Sequence, residues 1–177
     1  GAQYIVDKKR YKIGSCKHSD ISTFSFHPVK TITTGEGGAV TTNSKKLYEK
    51  IKLLRSIGIF RLKDHWSYDV KECSLNFRIS DIQCALGISQ MRKMKKFLSK
   101  RKKIVKNYFL AFKNIQNISL INHLPNYISG NHLCLLKLKK FNLKKKDLFF
   151  KYLMKKKILL QYHYIPIYKF SIFKDKY

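Results

Sequence analysis

The stretch that most constrains this chain lies between Ser25 and Val40. A strand-like alternation over residues 21–26 meets Pro28, then a single lysine, Lys30, and then Gly35, Gly37 and Gly38. Ile21, Thr23 and Ser25 read as one face of that strand, with Phe24 and Phe26 on the other. Pro28 offers no N–H to a ladder and biases His27 toward extended backbone, so Lys30 falls on an irregular loop at a strand end, where functional side chains concentrate. Residues 38–42 read as a second short strand.

Most lysines here stand in solvated clusters, whereas Lys30 sits among Phe26, Val29, Ile32 and small residues. An ammonium in a partly apolar, positively charged setting loses its proton readily, and the neutral amine condenses with an aldehyde. Pyridoxal 5'-phosphate (PLP) is the common biological partner. Ser25 and nearby amides would serve its phosphate, and the three glycines let backbone approach without a Cβ. A surface loop carrying an ordinary lysine is the competing reading of the same residues. A phosphate-cradling NTPase loop is excluded, since no Gly-x-x-x-x-Gly-Lys-Ser/Thr occurs.

The wider pattern Ser25-Phe26-His27-Pro28-Val29-Lys30-x-Ile32-Thr33-Thr34-Gly35-Glu36-Gly37-Gly38 resembles the cofactor-lysine segment of the DegT/DnrJ/EryC1/StrS sugar aminotransferases, PLP enzymes of fold type I, on the branch that serves pseudaminic acid biosynthesis. The resemblance implies that Lys30 carries PLP, that Ser25 binds its phosphate and that His27 and Glu36 belong to the active site. It continues in Asn76-Phe77-Arg78, similar to the family's Asn-Tyr/Phe-Arg, whose asparagine reaches the cofactor phosphate of a neighbouring subunit. Arg78 follows as an anion-binding candidate, because an amide and a guanidinium both donate to phosphate oxygens. Asp81-Ile82-Gln83-x-Ala85-Leu86-Gly87 matches a further family segment, and Gln161-Tyr162-His163-Tyr164-Ile165-Pro166 is similar to one that brings His163 and Tyr164 toward substrate. Ser74 stands where the family has glycine, and residues 157–160 replace a glycine-containing turn.

The expected architecture is therefore α/β, a partial fold type I transferase. Residues 1–100 would be the C-terminal part of the large PLP-binding domain, and 101–177 the N-terminal part of a small α+β domain, joined near 97–103. On the resemblance the chain is an internal fragment, opening just after the family's pyridine-nitrogen aspartate and stopping inside the small domain.

Local signals fill in the elements. Asn43-Ser44 caps a helix through about Ser56, with Leu47, Ile51 and Leu54 inward and Gly58 as its stop. Ser80-Asp81-Ile82-Gln83 is a capping box that opens a long helical region. Residues 131–139 read as a strand, Asn142 caps a helix over 143–157, and residues 159–164 read as another strand. Residues 59–73 show no clean period.

Composition bounds the partners. With 44% apolar and 14% aromatic residues, a globular protein with a fair core is expected. The 38 basic residues against 10 acidic, a net +28, raise anionic partners first. Yet arginine supplies only Arg10, Arg55, Arg61, Arg78, Arg92 and Arg101, and base-reading clusters and RNP-type signatures are absent, so nucleic acid is not the expected partner. The run 92–106 is the best polyanion candidate, although on a helix such a run is commonly the wet face.

Cys16, Cys73, Cys84 and Cys134 lack Cys-x-x-Cys spacing and read as buried free thiols, not metal ligands. No apolar run approaches bilayer length and no signal-peptide pattern opens the chain, so a soluble, cytoplasmic protein is expected.

The function that the family resemblance implies is PLP-dependent transfer of an amino group, with glutamate as donor, to the C4 keto group of a UDP-linked 4-keto-6-deoxy-N-acetyl amino sugar, by a homodimer with shared active sites. The rivals are an inactive remnant of such an enzyme and a basic polyanion-binding module.

Overall fold

The computed structural model describes residues 1–64, 66–121 and 124–173. The chain begins with a hairpin, β1 (Gln3–Val6) and β2 (Lys9–Lys12), in antiparallel register Val6↔Lys9 to Gln3↔Lys12. Asp7 and Lys8 turn it with φ of 49° and 62°, a primed turn whose twist suits adjoining strands. β3 (Ser22–Ser25) and β4 (Gly38–Thr41) pair antiparallel from Ser22↔Thr41 to Ser25↔Gly38. The loop carrying Lys30 is thus the closed end of a hairpin.

α1 (Lys45–Arg55) starts where Ser44 Oγ accepts the Leu47 N–H, and stops as Ile57 and Gly58 turn left-handed and the Gly58 N–H reaches the Leu53 carbonyl. The stretch 59–73, which shows no period in sequence, holds a third hairpin of β5 (Ile59–Arg61) and β6 (Tyr68–Val70). α2 (Asp81–Phe112) opens on the complete Ser80–Gln83 capping box and runs unbroken. The expected domain connection near 97–103 falls inside this helix, since no glycine or proline interrupts residues 88–112.

β7 (Ile118–Leu120), β8 (Tyr127–Ile128) and β9 (Leu136–Leu138) follow; β8 pairs with β1 through Tyr4↔Tyr127, and β7 pairs with β9. The strand expected over 131–139 keeps only these three residues. α3 (Leu143–Lys155) is capped by Asn142, whose Oδ1 accepts the Lys145 N–H at 2.9 Å. Beyond its C-cap Lys156, Lys157 has a φ of 60°, the left-handed position after a helix that glycine suits best. The strand expected over 159–164 is not formed. The described residues place no ladder partner beside it, and Tyr162 instead stacks on Phe150 with ring centroids 4.8 Å apart.

The chain divides into two compact units, Gly1–Asn114 with Leu120–Leu136, and Ile115–Ser119 with Lys137–Tyr177. The fair core expected from composition is not formed among the described residues. Only Cys16, Thr34 and Gly58 are buried, while Phe77, Ile82 and Leu143 are 64%, 84% and 76% exposed. Small sheets of two or three strands and amphipathic helices each present one apolar face, and here those faces stay open. Of the cysteines only Cys16 is buried; Cys73 and Cys134 are exposed and Cys84 intermediate, which corrects the expectation of buried thiols. No helix among the described residues is long and apolar enough to cross a membrane.

Candidate functional site

β3 ends at Ser25, and backbone bonds close the neck of the loop beyond it. The Phe26 N–H donates to the Gly37 carbonyl at 2.8 Å, and the Thr34 N–H to the Phe26 carbonyl at 3.0 Å. Thr33 Oγ1 donates to the same Phe26 carbonyl at 2.9 Å, and Thr34, 4% exposed, donates to the Glu36 carbonyl at 2.7 Å. Gly38 permits this closure: a Cβ there would lie 2.7 Å from the Phe24 carbonyl oxygen. Within the loop, the Lys30 N–H donates to the His27 carbonyl at 2.9 Å, so residues 27–30 form a tight turn with Pro28 at its second position, the place its fixed φ suits.

Lys30 is half-buried, and its amine has no hydrogen-bond or ion-pair partner among the described residues. The apolar setting expected around it is partial, with Ile32 half-buried but Val29 63% exposed. Ser25 Oγ accepts the His27 N–H at 3.4 Å, which leaves its own proton available to an anion. His27 Nδ1 accepts the Val29 N–H at 3.3 Å, and Nε2 lies 3.7 Å from Glu36 Oε1. Both side chains are well exposed, so water screens this contact.

Beside this loop lies a cavity of about 820 Å³ between the β3–β4 hairpin, α1 and the segment 76–83. Glu36, Asn76 and Arg78 line it; Lys30, Ser25 and His27 do not. Asn76 is held by a bridge to Ser56, and the Phe77 N–H donates to the Arg55 carbonyl at 3.0 Å. Asn76 Oδ1 accepts the Arg78 N–H at 3.2 Å, which turns the amide NH₂ outward as a free pair of donors. Gln83, part of the capping box, also donates from Nε2 to the Glu36 carbonyl at 2.9 Å and so ties the α2 N-terminus to the lysine loop. Lys52 and Arg55 of α1, both exposed, line the same cavity. Their i, i+3 spacing was the available signal. His163 and Tyr164 belong to the second unit, where their rings lie 3.8 Å apart and Tyr164 is 72% exposed.

Two thiols depart from their ordinary pKa. Hydrogen bonding to Thr41 holds Cys16 low against the opposing effect of burial, and desolvation pushes Cys134 up.

The donor set fits PLP at two of its ends. The unpartnered amine of half-buried Lys30 suits the aldehyde, and a serine hydroxyl with an unused proton suits the phosphate.

The sequence profile of the DegT/DnrJ/EryC1/StrS aminotransferase family matches residues 6–177. The chain is 43% identical over 175 residues to a Campylobacter jejuni UDP-4-amino-4,6-dideoxy-N-acetyl-beta-L-altrosamine transaminase, covering 98% of this chain and 44% of that protein. The Helicobacter pylori enzyme of the same name is 42% identical over 156 residues, 87% of this chain and 41% of its own length. The chain thus spans less than half the length of the curated relatives it matches. Among solved structures, Helicobacter pylori PseC, an aminotransferase of pseudaminic acid biosynthesis, superposes with a TM-score of 0.82 at 38% identity, over 90% of this chain and 43% of its own. The PLP form of the sugar aminotransferase Spr1654 from Streptococcus pneumoniae gives 0.84 at 26% identity, over 99% and 44%. The chain belongs to the DegT/DnrJ/EryC1/StrS aminotransferase family, and its α/β fold is part of a fold type I aminotransferase.

Proposed function

We propose that this chain supplies the cofactor-lysine portion of a PLP-dependent aminotransferase. The enzyme would move an amino group from glutamate onto the C4 keto group of a UDP-linked 4-keto-6-deoxy-N-acetyl amino sugar, in pseudaminic acid biosynthesis. The observation that carries this reading is the unpartnered amine of half-buried Lys30 on a hairpin loop whose first strand ends at Ser25, a serine with a spare proton, in a chain 43% identical to transaminases of that substrate class.

When bound, PLP supplies the electron sink that lets a substrate C–H proton leave. Lys30 Nζ holds the cofactor and, once released, takes and returns the proton at the substrate carbon. Ser25 Oγ donates to the phosphate. Asn76 offers its amide NH₂ to the phosphate bound by a second subunit, which makes the working unit a homodimer. Arg78 and Glu36 line the cavity beside the loop, where Arg78 serves an anionic group of the substrate, and His27 borders the lysine. His163 and Tyr164 approach the sugar. Residues 1–100 belong to the large domain and 101–177 to the small one, in a cytoplasmic enzyme.

The test is 2-oxoglutarate release from glutamate with the UDP-4-keto sugar. Lys30→Ala should lower the rate by at least ~10³-fold, the scale of losing a proton-transferring group, and Ser25→Ala should weaken PLP retention. A Lys30→Ala protein that turns over normally would overturn the reading. A second reading, an inactive remnant, is favoured by the open apolar faces. It predicts no turnover with PLP still held at Lys30.

A further inference from the structure

We propose that the outer face of α2 over residues 92–106 binds the phosphate backbone of double-stranded DNA, independently of base sequence. The run carries nine cations, Arg92, Lys93, Lys95, Lys96, Lys100, Arg101, Lys102, Lys103 and Lys106, and no Asp or Glu occurs anywhere between Asp81 and Asp147.

The structure sorts these cations by role. Arg101 is half-buried and donates from Nη1 to the His132 carbonyl at 3.0 Å and the Asn131 carbonyl at 3.4 Å, so it belongs to the packing of the first unit. The other eight are all exposed. At 3.6 residues per turn they fall on one half-cylinder of the helix, with Arg92, Lys96 and Lys103 along its crest, Lys95, Lys102 and Lys106 on one flank and Lys93 and Lys100 on the other. Met94, Phe97, Leu98 and Val105 occupy the opposite half and are partly buried.

None of the eight has an ion-pair partner among the described residues, and i, i+3 and i, i+4 neighbours on this face repel one another. A face this uniform is costly to an isolated helix and is relieved by an anion that presents many charges in register. The run spans roughly 21 Å at about 1.5 Å per residue. Duplex DNA offers one phosphate charge per ~1.7 Å of axis, and its major groove, about 12 Å wide, admits a helix with cations on both flanks facing opposite phosphate walls.

Two absences within the face decide between partners. Its one exposed large apolar neighbour, Ile104 at 53%, lies just beyond the Lys93–Lys100 flank, so the face lacks the apolar stripe with which a membrane-surface helix enters a lipid boundary. It also carries one arginine and no Asn or Gln over 92–106 to read base edges, so binding would follow the backbone and not the sequence.

The experiment is fluorescence anisotropy of the full chain with a labelled random-sequence 20-bp duplex at 50 and 200 mM salt. With roughly five phosphates contacted at once, affinity should fall about 500-fold between the two salts. The double variant Lys96→Glu, Lys103→Glu should bind at least tenfold more weakly, with a salt slope about two units shallower. Glutamate forms helix well and gains Arg92 and Lys100 as i±4 neighbours at position 96, so helicity by circular dichroism should be kept. Lys45→Glu, Lys46→Glu on α1 makes the same change in net charge on exposed residues and should leave affinity within threefold. Equal losses in the two variants would refute the proposal, since total charge alone would then govern binding. So would tighter binding to phosphatidylglycerol vesicles than to the duplex.

Discussion

Gly58 and Gly35 both hold left-handed backbone, with φ of 73° and 80°, yet they differ in what a side chain would meet. At Gly35 a Cβ finds nothing within 4 Å; at Gly58 it lies 1.7 Å from the Glu72 carbonyl oxygen, a backbone atom that cannot swing away. Gly35→Ala therefore isolates the conformational cost, about 1–2 kcal/mol. Gly58→Ala adds the displacement of the chain at Glu72. That movement strains two backbone bonds, Gly58 N–H to the Leu53 carbonyl at 3.0 Å and Lys71 N–H to the Gly58 carbonyl at 3.0 Å, each contributing about 1 kcal/mol. The expected difference between the variants is at least ~2 kcal/mol, which for a chain of this size corresponds to ~4–8 °C in Tm. Because the same segment carries Ile57 N–H to Leu75 and Ser56 to Asn76, Gly58→Ala should also loosen the Asn76 turn. Thermal melts followed by circular dichroism measure the difference. Equal Tm values would refute the reasoning, because they would mean that the close approach to Glu72 does not constrain the chain.

Lys157→Gly should stabilise the chain by about 1 kcal/mol, since glycine adopts the left-handed end of α3 without a Cβ penalty; a lower denaturation midpoint would contradict this. Ser80→Ala removes the cap that accepts the Gln83 N–H and should cost about 1 kcal/mol in the same melts. Iodoacetamide at pH 8 should label exposed Cys73 first and Cys134 more slowly, because desolvation raises the Cys134 pKa and less thiolate is present at that pH. Cys16, although its pKa is lowered, should react only on unfolding because it is 9% exposed.

What could be read from sequence was local and strongly coded. The two short strands that flank the lysine loop, the Ser44 and Asn142 caps and the Ser80–Gln83 box each depend on side chains within a few residues of the element they define, whereas the pairing of β3 with β4 came from the structure. The β1–β2 turn was not legible, because Asp7-Lys8 adopts a geometry that Asn-Gly usually announces. The β5–β6 hairpin was hidden by strands of three residues, too short to show a period. The strand expected over 159–164 failed for a different reason: alternation supplies a face, while a strand also needs a neighbour to pair with. At the site, motif resemblance brought out Lys30, Ser25 and Asn76, but which residues share the cavity depends on how α1 meets the hairpin. Lys52 and Arg55, spaced to share one face of α1, therefore reach the cavity through that packing. The open apolar faces carry the same lesson, because burial depends on the surrounding fold and this chain spans 44% of its Campylobacter jejuni relative.

The proposed activity depends above all on the Lys30 amine holding PLP. Incubation of the protein with PLP, reduction with borohydride and peptide mass spectrometry test it directly. A phosphopyridoxyl group should appear on the peptide containing Lys30, formed at PLP concentrations too low to modify the exposed lysines of α2. A label spread over those surface lysines with Lys30 unmodified would contradict it.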